Sequence, residues 1–412
     1  MNRHSTATES RRVFSVGAHC TKGSEPCQGD LRFQGRLAGA RGGRRPGSYH
    51  GFFMSSRIRI LAGKNVYPIL RDGGFDWGNI AAYFAPAVGP RWLISCGFDR
   101  ALLREGVLKK KRPTLLVGAS AGAWRLAAWL QPEALKSYRV LMEAYIDTVY
   151  SRRDTPASVL ASLWRIVDAY IENDALPFAL ANKNYRLAVI TARTRHLVAA
   201  ENGFLQRLGL GFCFAANAFR RSLLRHFAER IVFFHGAVPP QFCLQSDFRG
   251  RYIPLSGANF KAAIVASGAI PLVVAGVKNI YGAPYGTYRD GGLVDYHLTH
   301  RYSRQDNEIT LFFHHQERIV PGWLDKKLSY RRVPEGVLDN VLMVVPTAGF
   351  ISNLPDGKIP DRDDFRTYIN RPAERIRKWH AAVEVAAPLG EVFLDLIESR
   401  RLQKIVEPLA GG

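Results

Sequence analysis

Apolar positions along this chain fall into two spacings. Short uninterrupted runs such as "RIRILAG", "TLLVG", "IVFFHG", "NEITLFFHH" and "NVLMVVP" have the length and β-branched content of buried strands. Longer stretches between them repeat apolar residues three and four apart. In "GPRWLISCGFDRALLREG" these are Trp92, Leu93, Cys96, Phe98, Leu102 and Leu103, which a helix gathers on one face. "SAGAWRLAAWL", "LMEAYIDTVY", "SVLASLWRIVDAYI", "AFRRSLLRHFAER" and "NFKAAIVAS" predict further helices, and residues 131–230 read as mainly helical around one strand at "YRLAVITART". "IAAYFAPAV" begins as a strand, and "PLVVAG" is another strand candidate. "NVYPILRD" predicts a short helix closed by Gly73 and Gly74. From about residue 363 the helical spacing returns in "PAERIRKWHAAVEVA" and "GEVFLDLIESRRLQKIV". Strands alternating with helices predict an α/β fold: a parallel sheet flanked by helices over residues 54–345, with a helical C-terminal extension over 346–412.

Composition narrows the picture at the N-terminus. Residues 1–53 are rich in Arg, Gly and Ser, and the first convincing strand follows Met54. They read as a disordered extension upstream of the folded part; an organelle transit peptide is the alternative. The 412 residues carry a net charge of +22. The tail holds nine Lys/Arg against three Asp/Glu, so most of the excess lies in the folded part. Such a surface suits anionic lipid, acidic substrates or nucleic acid, but no zinc-finger spacing or RNA-binding signature supports specific nucleic-acid recognition. The five cysteines (Cys20, Cys27, Cys96, Cys213, Cys243) have no metal-ligand spacing and suit a reducing compartment. No run is long and apolar enough to predict a transmembrane helix. The expected location is cytoplasmic, peripheral at the inner membrane face.

Candidate chemistry begins at "TLLVGASAGAWR". Ser120 sits in Gly118-x-Ser120-x-Gly122, with an apolar strand running in and a helix running out. A nucleophile elbow needs this context, because the serine occupies a tight turn that side chains at Gly118 or Gly122 would obstruct. The alternative is a glycine-rich turn that only packs tightly. A serine hydroxyl also needs a base. His297, His300, His314, His315 and His380 all follow Ser120, none in a distinctive loop. The sequence Arg-Asp-Gly-Gly occurs twice, with Asp72 in the first copy and Asp290 in the second. Asp72 closes a helical pattern, with Gly73 or Gly74 to supply the left-handed cap, so the first copy reads as a helix end.

Three stretches together resemble the patatin-like phospholipase family, in the family's order. "VGASAGA" is similar to its nucleophile elbow, "ASGAIPLVV" (266–274) to the small-residue segment before its aspartate, and "YRDGGLVDY" to its Asp-Gly-Gly motif. "GASAGAWR", "GPRW" and "PGWLDKKL" resemble a less-studied bacterial branch. The resemblance spans roughly residues 57–300. It implies a patatin-like sheet and a Ser120–Asp290 dyad in which Asp290 is the general base, Gly291 and Gly292 allow close approach, and neither metal nor organic cofactor takes part. The implied activity is hydrolysis of a lipid ester through an acyl-enzyme.

The chain departs from the family in lacking a triple-glycine oxyanion loop. Gly89 and Arg91, in "VGPRW", are the first substitutes, with the Ala121 N–H; Gly63 and Lys64, in "LAGKN", are the second. Pro90 offers no N–H. "FRRSLLRHF" (219–227) places Phe219, Leu223, Leu224 and Phe227 on one helical face with arginines elsewhere, and could meet an anionic membrane surface or simply pack on the core. Two rival functions remain open. One is an esterase, thioesterase or acyltransferase on soluble acyl groups; the other is a catalytically silent binding protein on a hydrolase fold. Oligomeric state is not legible.

Overall fold

A computed structural model describes residues 57–109, 112–240, 250–302 and 305–409. The expected N-terminal extension, residues 1–53, lies outside them. The strands are β1 (Ile58–Ala62), β2 (Ile80–Ala85), β3 (Thr114–Ala119), β4 (Tyr185–Thr194), β5 (Ala228–Phe234), β6 (Gly250–Pro254), β7 (Val277–Lys278), β8 (Thr287–Asp290), β9 (Ile309–Phe313), β10 (Val341–Pro346) and β11 (Val406–Pro408). They form one mixed sheet, in the order β11-β1-β10-β9-β2-β3-β4-β5-β6, with β8 also on β4 and β7 on β8. The centre, β10-β9-β2-β3-β4, is parallel throughout. Antiparallel pairs join β1 to β10 and β5 to β4. The chain is therefore α/β, with a mostly parallel sheet between helices.

Among the described residues eight helices have eight or more residues: α1 (Cys96–Glu105), α2 (Ala121–Ala128), α3 (Ala134–Asp147), α4 (Pro156–Tyr170), α5 (Gly203–Phe219), α6 (Phe260–Ser267), α7 (Pro372–Ala386) and α8 (Leu389–Glu398). Successive strand side chains point to opposite faces, and the core divides accordingly. Tyr83, Leu116, Leu187, Leu311 and Val344 face one layer, which holds most of the helices. Phe84, Val117, Ala188, Phe312 and Met343 face the other, covered by α5 and by the segment around residues 293–338. Both faces are buried, so the central strands read as continuous apolar runs rather than alternating ones.

Several local expectations change. "PLVVAG" is a turn: Leu272 has φ +68°, and the N–H groups of Val273 and Val274 donate to the Ile270 carbonyl. The helix expected over "AFRRSLLRHFAER" divides between the end of α5, a 3₁₀ turn at Arg221–His226 and the start of β5. The last predicted helix breaks after α8, where Arg400 has φ +57°, and the chain then adds β11 beside β1. The C-terminal segment also belongs to the first core layer, since Trp379, Leu389 and Phe393 are buried there and Phe393 meets Phe98 and Phe313 edge-on.

Candidate active site

The site is made by two strands that share one edge of β4. β3 runs parallel to β4 and ends at the pair Ala119–Ile190. β8 runs antiparallel to β4 along the same edge and ends at the pair Asp290–Thr191. Two strands on one edge with opposite directions must point their C-termini at each other. Ser120 follows the end of β3, and Asp290 is the end of β8. Their meeting is a consequence of sheet register: Ser120 Oγ donates to Asp290 Oδ2 at 2.6 Å.

Both turns need glycine. Ser120 itself has φ +55° and ψ −130°, a strained conformation for an L residue costing about 1–3 kcal/mol. A Cβ on Gly122 would stand 1.9 Å from the Ala85 carbonyl oxygen, and one on Gly118 2.5 Å from the Ala123 backbone. A Cβ on Gly291 would reach the Ile190 carbonyl oxygen at 2.1 Å; one on Gly292 would reach Ala87 Cβ at 2.8 Å. These glycines let three backbone segments close around the serine.

A further residue, from the "ASGAIPLVV" stretch but given no role by it, holds the strain. Ser267, at the end of α6, accepts the Ser120 N–H at 2.8 Å and donates to the Ile190 carbonyl at 2.7 Å. The "AWR" of the elbow ties α2 to its neighbours. Trp124 donates to the Ile264 carbonyl at 2.7 Å, which couples the helix that follows Ser120 to the helix that carries Ser267. Arg125, buried, pairs with buried Asp99 at 2.5 Å, and Tyr138 donates to the same carboxylate at 2.6 Å.

Asp290 accepts Gly292 N–H on Oδ1 at 2.7 Å, so each carboxylate oxygen has one donor. Burial pushes its pKa up; the bonds from Ser120 and Gly292 and the charges of Arg362 and Lys326 oppose this without reversing it. A carboxylate held out of water in this way is a better proton acceptor than an ordinary aspartate.

The dyad opens into a narrow cleft of about 20 Å³ lined by Ala87, Gly89, Ile270, Pro271, Tyr296, Trp323 and Arg362 among others. Gly89 has φ +56° and opens a 3₁₀ helix, Gly89–Ser95, so its own N–H is not used by that helix. Ala121 likewise opens α2. Arg91 differs from expectation. Its N–H is the third of the 3₁₀ helix and belongs to the ladder back to Val88, so the residue can offer only its guanidinium, which faces Asp361 at 3.7 Å. Gly63 and Lys64 lie elsewhere: they line a separate cavity with Tyr67, Val333 and Pro408. The Gly63 N–H donates to the Val341 carbonyl at 2.8 Å, leaving nothing for an oxyanion.

Positive charge gathers at the cleft. Arg362 lines it, and a Cβ on Gly89 would touch Arg362 Cγ at 3.5 Å. Lys326 sits over the Tyr296 ring at 4.2 Å, and burial together with Arg362 and Arg91 lowers its pKa to about 8.

The histidines stand outside the Ser120–Asp290 pair, whose carboxylate takes its hydrogen bonds from Ser120 and Gly292. His300 bonds Asp295 Oδ1 at 2.8 Å, while Arg230 holds both oxygens of the same buried carboxylate. His297, His314 and His315 cluster with candidate ligand atoms within 4.8 Å of one another. The Val320 N–H donates to His297 Nδ1 at 2.9 Å, which leaves the proton of the neutral ring on Nε2. That nitrogen is then a donor, a poor match to a cation. His380 faces Asp147 at 3.5 Å. The first Arg-Asp-Gly-Gly is a helix end, as expected: Asp72 is exposed and paired with Arg71 at 2.8 Å, and Gly74 has φ +81°.

No family model matches this chain, and no curated protein matches it significantly.

Proposed function

We propose that the chain is a serine acyl hydrolase of patatin-like type that cleaves ester bonds in lipids, with Ser120 as nucleophile and Asp290 as its base. The observation that carries this reading is the 2.6 Å hydrogen bond from a strained, buried serine to a desolvated aspartate, with no histidine between them. Ser120 Oγ attacks the ester carbonyl carbon while its proton passes to Asp290 Oδ2. The tetrahedral oxyanion sits against the N–H groups of Ala121 and Gly89, and Arg362 and Lys326 supply positive potential. The intermediate expels the alcohol, which takes the proton from Asp290 and leaves an acyl-enzyme. Water then attacks this ester, gives its proton to Asp290, and the collapse returns that proton to Ser120 as the free acid leaves. Cations beside the dyad favour substrates carrying an anionic group, which suits a phospholipid.

Labelling with a fluorophosphonate probe, read by peptide mass spectrometry, tests the proposal. The expected result is modification at Ser120 that Ser120→Ala and Asp290→Asn both abolish. A folded protein that stays unlabelled would move the assignment to a binding protein.

A further inference from the structure

Helix α5 is amphipathic the wrong way round for a helix of a globular core. Its inward stripe is Gln206, Gly209, Leu210, Cys213 and Asn217. Its outward face carries Phe204, Leu208, Phe212 and Phe219, spaced four, four and seven apart and so aligned along one side, with Leu205 beside them. Phe204 is 66% exposed, Phe212 61% and Phe219 87%. Single exposed apolar residues are ordinary, but an aligned set of phenylalanines on one helix marks an interaction surface.

The inward polar residues explain where this face is held. Gln206 accepts the Leu272 N–H at 2.6 Å and donates to the Ala200 carbonyl at 2.8 Å. Leu272 follows Pro271, a cleft-lining residue. At the other end Asn217 donates to Asp325 at 2.7 Å, within the turn Trp323–Lys327 that supplies Trp323 to the cleft. The helix is therefore bonded to two segments that each supply a residue to the cleft. Val273 continues the apolar surface next to one tether. Tyr330, whose hydroxyl donates to the Ala218 carbonyl at 2.7 Å, continues it near the other.

We infer that α5 is the element by which the protein docks on an anionic lipid bilayer, with the helix lying in the headgroup plane and its phenylalanines entering the acyl boundary. Charge selects this occupant. The only charged residue within the helix is exposed Arg207, and Arg220, Arg225 and His226 follow it on the surface. A basic fringe around an apolar stripe, on a chain of net charge +22, complements an anionic membrane. Among the described residues no helix is long and apolar enough to cross a membrane, so α5 lies on the surface. The docking role is thus placed on residues 203–219 rather than on 219–227. Its functional meaning, delivery of the cleft to lipid esters, rests on the hydrolase reading; the binding itself does not need Ser120.

The test uses the full chain carrying Ser120→Ala and sedimentation with vesicles of phosphatidylglycerol or of phosphatidylcholine. Binding to the anionic vesicles is expected, with the apparent Kd weakened at least about tenfold by Phe204→Ser with Phe212→Ser. A separate Phe212→Trp protein should gain fluorescence that brominated acyl chains quench, which reports insertion even if the double variant folds poorly. Equal binding by the double variant, or indole fluorescence of the Phe212→Trp protein that brominated chains leave untouched, would overturn the inference in favour of the basic surface alone. So would a wild-type dimer that the double substitution dissolves without vesicle binding, which would give the face to a second copy. Turnover of a soluble ester by the unmutated protein separates the two ideas: docking without turnover removes the hydrolase reading only, and turnover without docking removes this one only.

Discussion

The two copies of Arg-Asp-Gly-Gly are identical over four residues and opposite in every physical respect. The first closes a helix at the surface. Asp72 is exposed, its neighbour Arg71 neutralises it, and the space around Gly73 is empty to 4 Å. The second ends a buried strand. Asp290 is buried, it touches Ser120, and a Cβ on Gly291 would strike a carbonyl oxygen at 2.1 Å. Arg71 hydrogen-bonds its aspartate and holds that carboxyl below the ordinary range, whereas burial pushes the Asp290 carboxyl above it. The corresponding arginine, Arg289, points away to Glu201 and to the Val274 carbonyl. A four-residue motif therefore carries no chemistry of its own. The register of β8 against β4 makes the second copy a candidate base, and the end of a surface helix makes the first a cap.

Substitution of the aspartates should give the largest contrast. Asp290→Asn keeps the shape and removes the base, so kcat/KM on a soluble ester is expected to fall by about 10⁴-fold or more, as for loss of a base or nucleophile elsewhere. Ser120→Ala should fall as far, and the double variant no further, because the two act as one unit. Asp72→Asn should leave kcat/KM unchanged. Equal losses at Asp72 and Asp290 would dissolve the distinction.

This contrast also marks what the sequence made legible. Ser120 and its glycines were readable because they depend on a local pattern: an apolar run, a tight turn, a helix; Asp290 was singled out from Asp72 only by the resemblance, since the same four residues stand around both. The helix end at Gly73–Gly74 was readable from its local pattern as well. The long-range partners were not. Ser267 stands in the quoted "ASGAIPLVV" stretch, but nothing in that stretch gives its hydroxyl a task, and only the fold brings it between Ser120 and Ile190. The Arg91 N–H looked free until the 3₁₀ helix claimed it, and Gly63 looked available until β10 took its N–H. α5 escaped because its exposed side is the apolar one, so periodicity alone gives no direction to the face. β8 and β11 were too short to announce themselves as strands.

The glycines sharpen the comparison by sterics. Gly291→Ala must push Ile190 aside, and overpacking of this kind costs about 1–3 kcal/mol. The same displacement moves Asp290, so activity should fall by two orders of magnitude or more, about the penalty of a 1 Å misplacement. Gly73→Ala meets nothing, and its unfolding free energy should stay within about 0.5 kcal/mol of wild type with full activity. Thermal denaturation and initial rates on the two variants decide the matter. If Gly291→Ala behaves like Gly73→Ala, the close approach at β8 is not needed.

Ser267→Ala tests whether the strained serine needs its tether. The substitution strips a partner from the Ser120 N–H and another from the Ile190 carbonyl, both buried, at a cost of about 1–3 kcal/mol. Ser267 does not line the cleft, and its hydroxyl bonds Ser120 N–H and the Ile190 carbonyl rather than Asp290, so it is a positioning residue. Its loss should lower kcat by about tenfold while KM stays near wild type, and Ser267→Thr, which keeps the hydroxyl, should restore part of the rate. A change confined to KM would argue that Ser267 acts on substrate binding instead.

The smallest expected effect has the most informative sign. A carboxyl whose pKa is raised by folding favours the native state only when protonated. Its stabilising contribution is complete below the unfolded pKa and lost as pH rises through the folded one, so above that range burial of the Asp290 carboxyl works against folding. Asp290→Asn should therefore raise Tm at pH 7 by a few degrees while it abolishes turnover, and the gain should shrink as pH falls toward the ordinary carboxylate pKa of 3.8. Asp72 runs the other way. Its lowered pKa stabilises the fold above the ordinary value and loses that contribution in acid, but the pair with Arg71 is fully exposed and water screens it, so Asp72→Asn should shift Tm at neither pH. Paired melting curves at pH 7 and pH 4 would show whether one aspartate is held at a cost to stability and the other is not. An Asp290→Asn protein less stable than wild type at pH 7 would mean that the carboxylate is retained for its hydrogen bonds to Ser120 and Gly292, and the argument for a base poised by burial would lose its thermodynamic support.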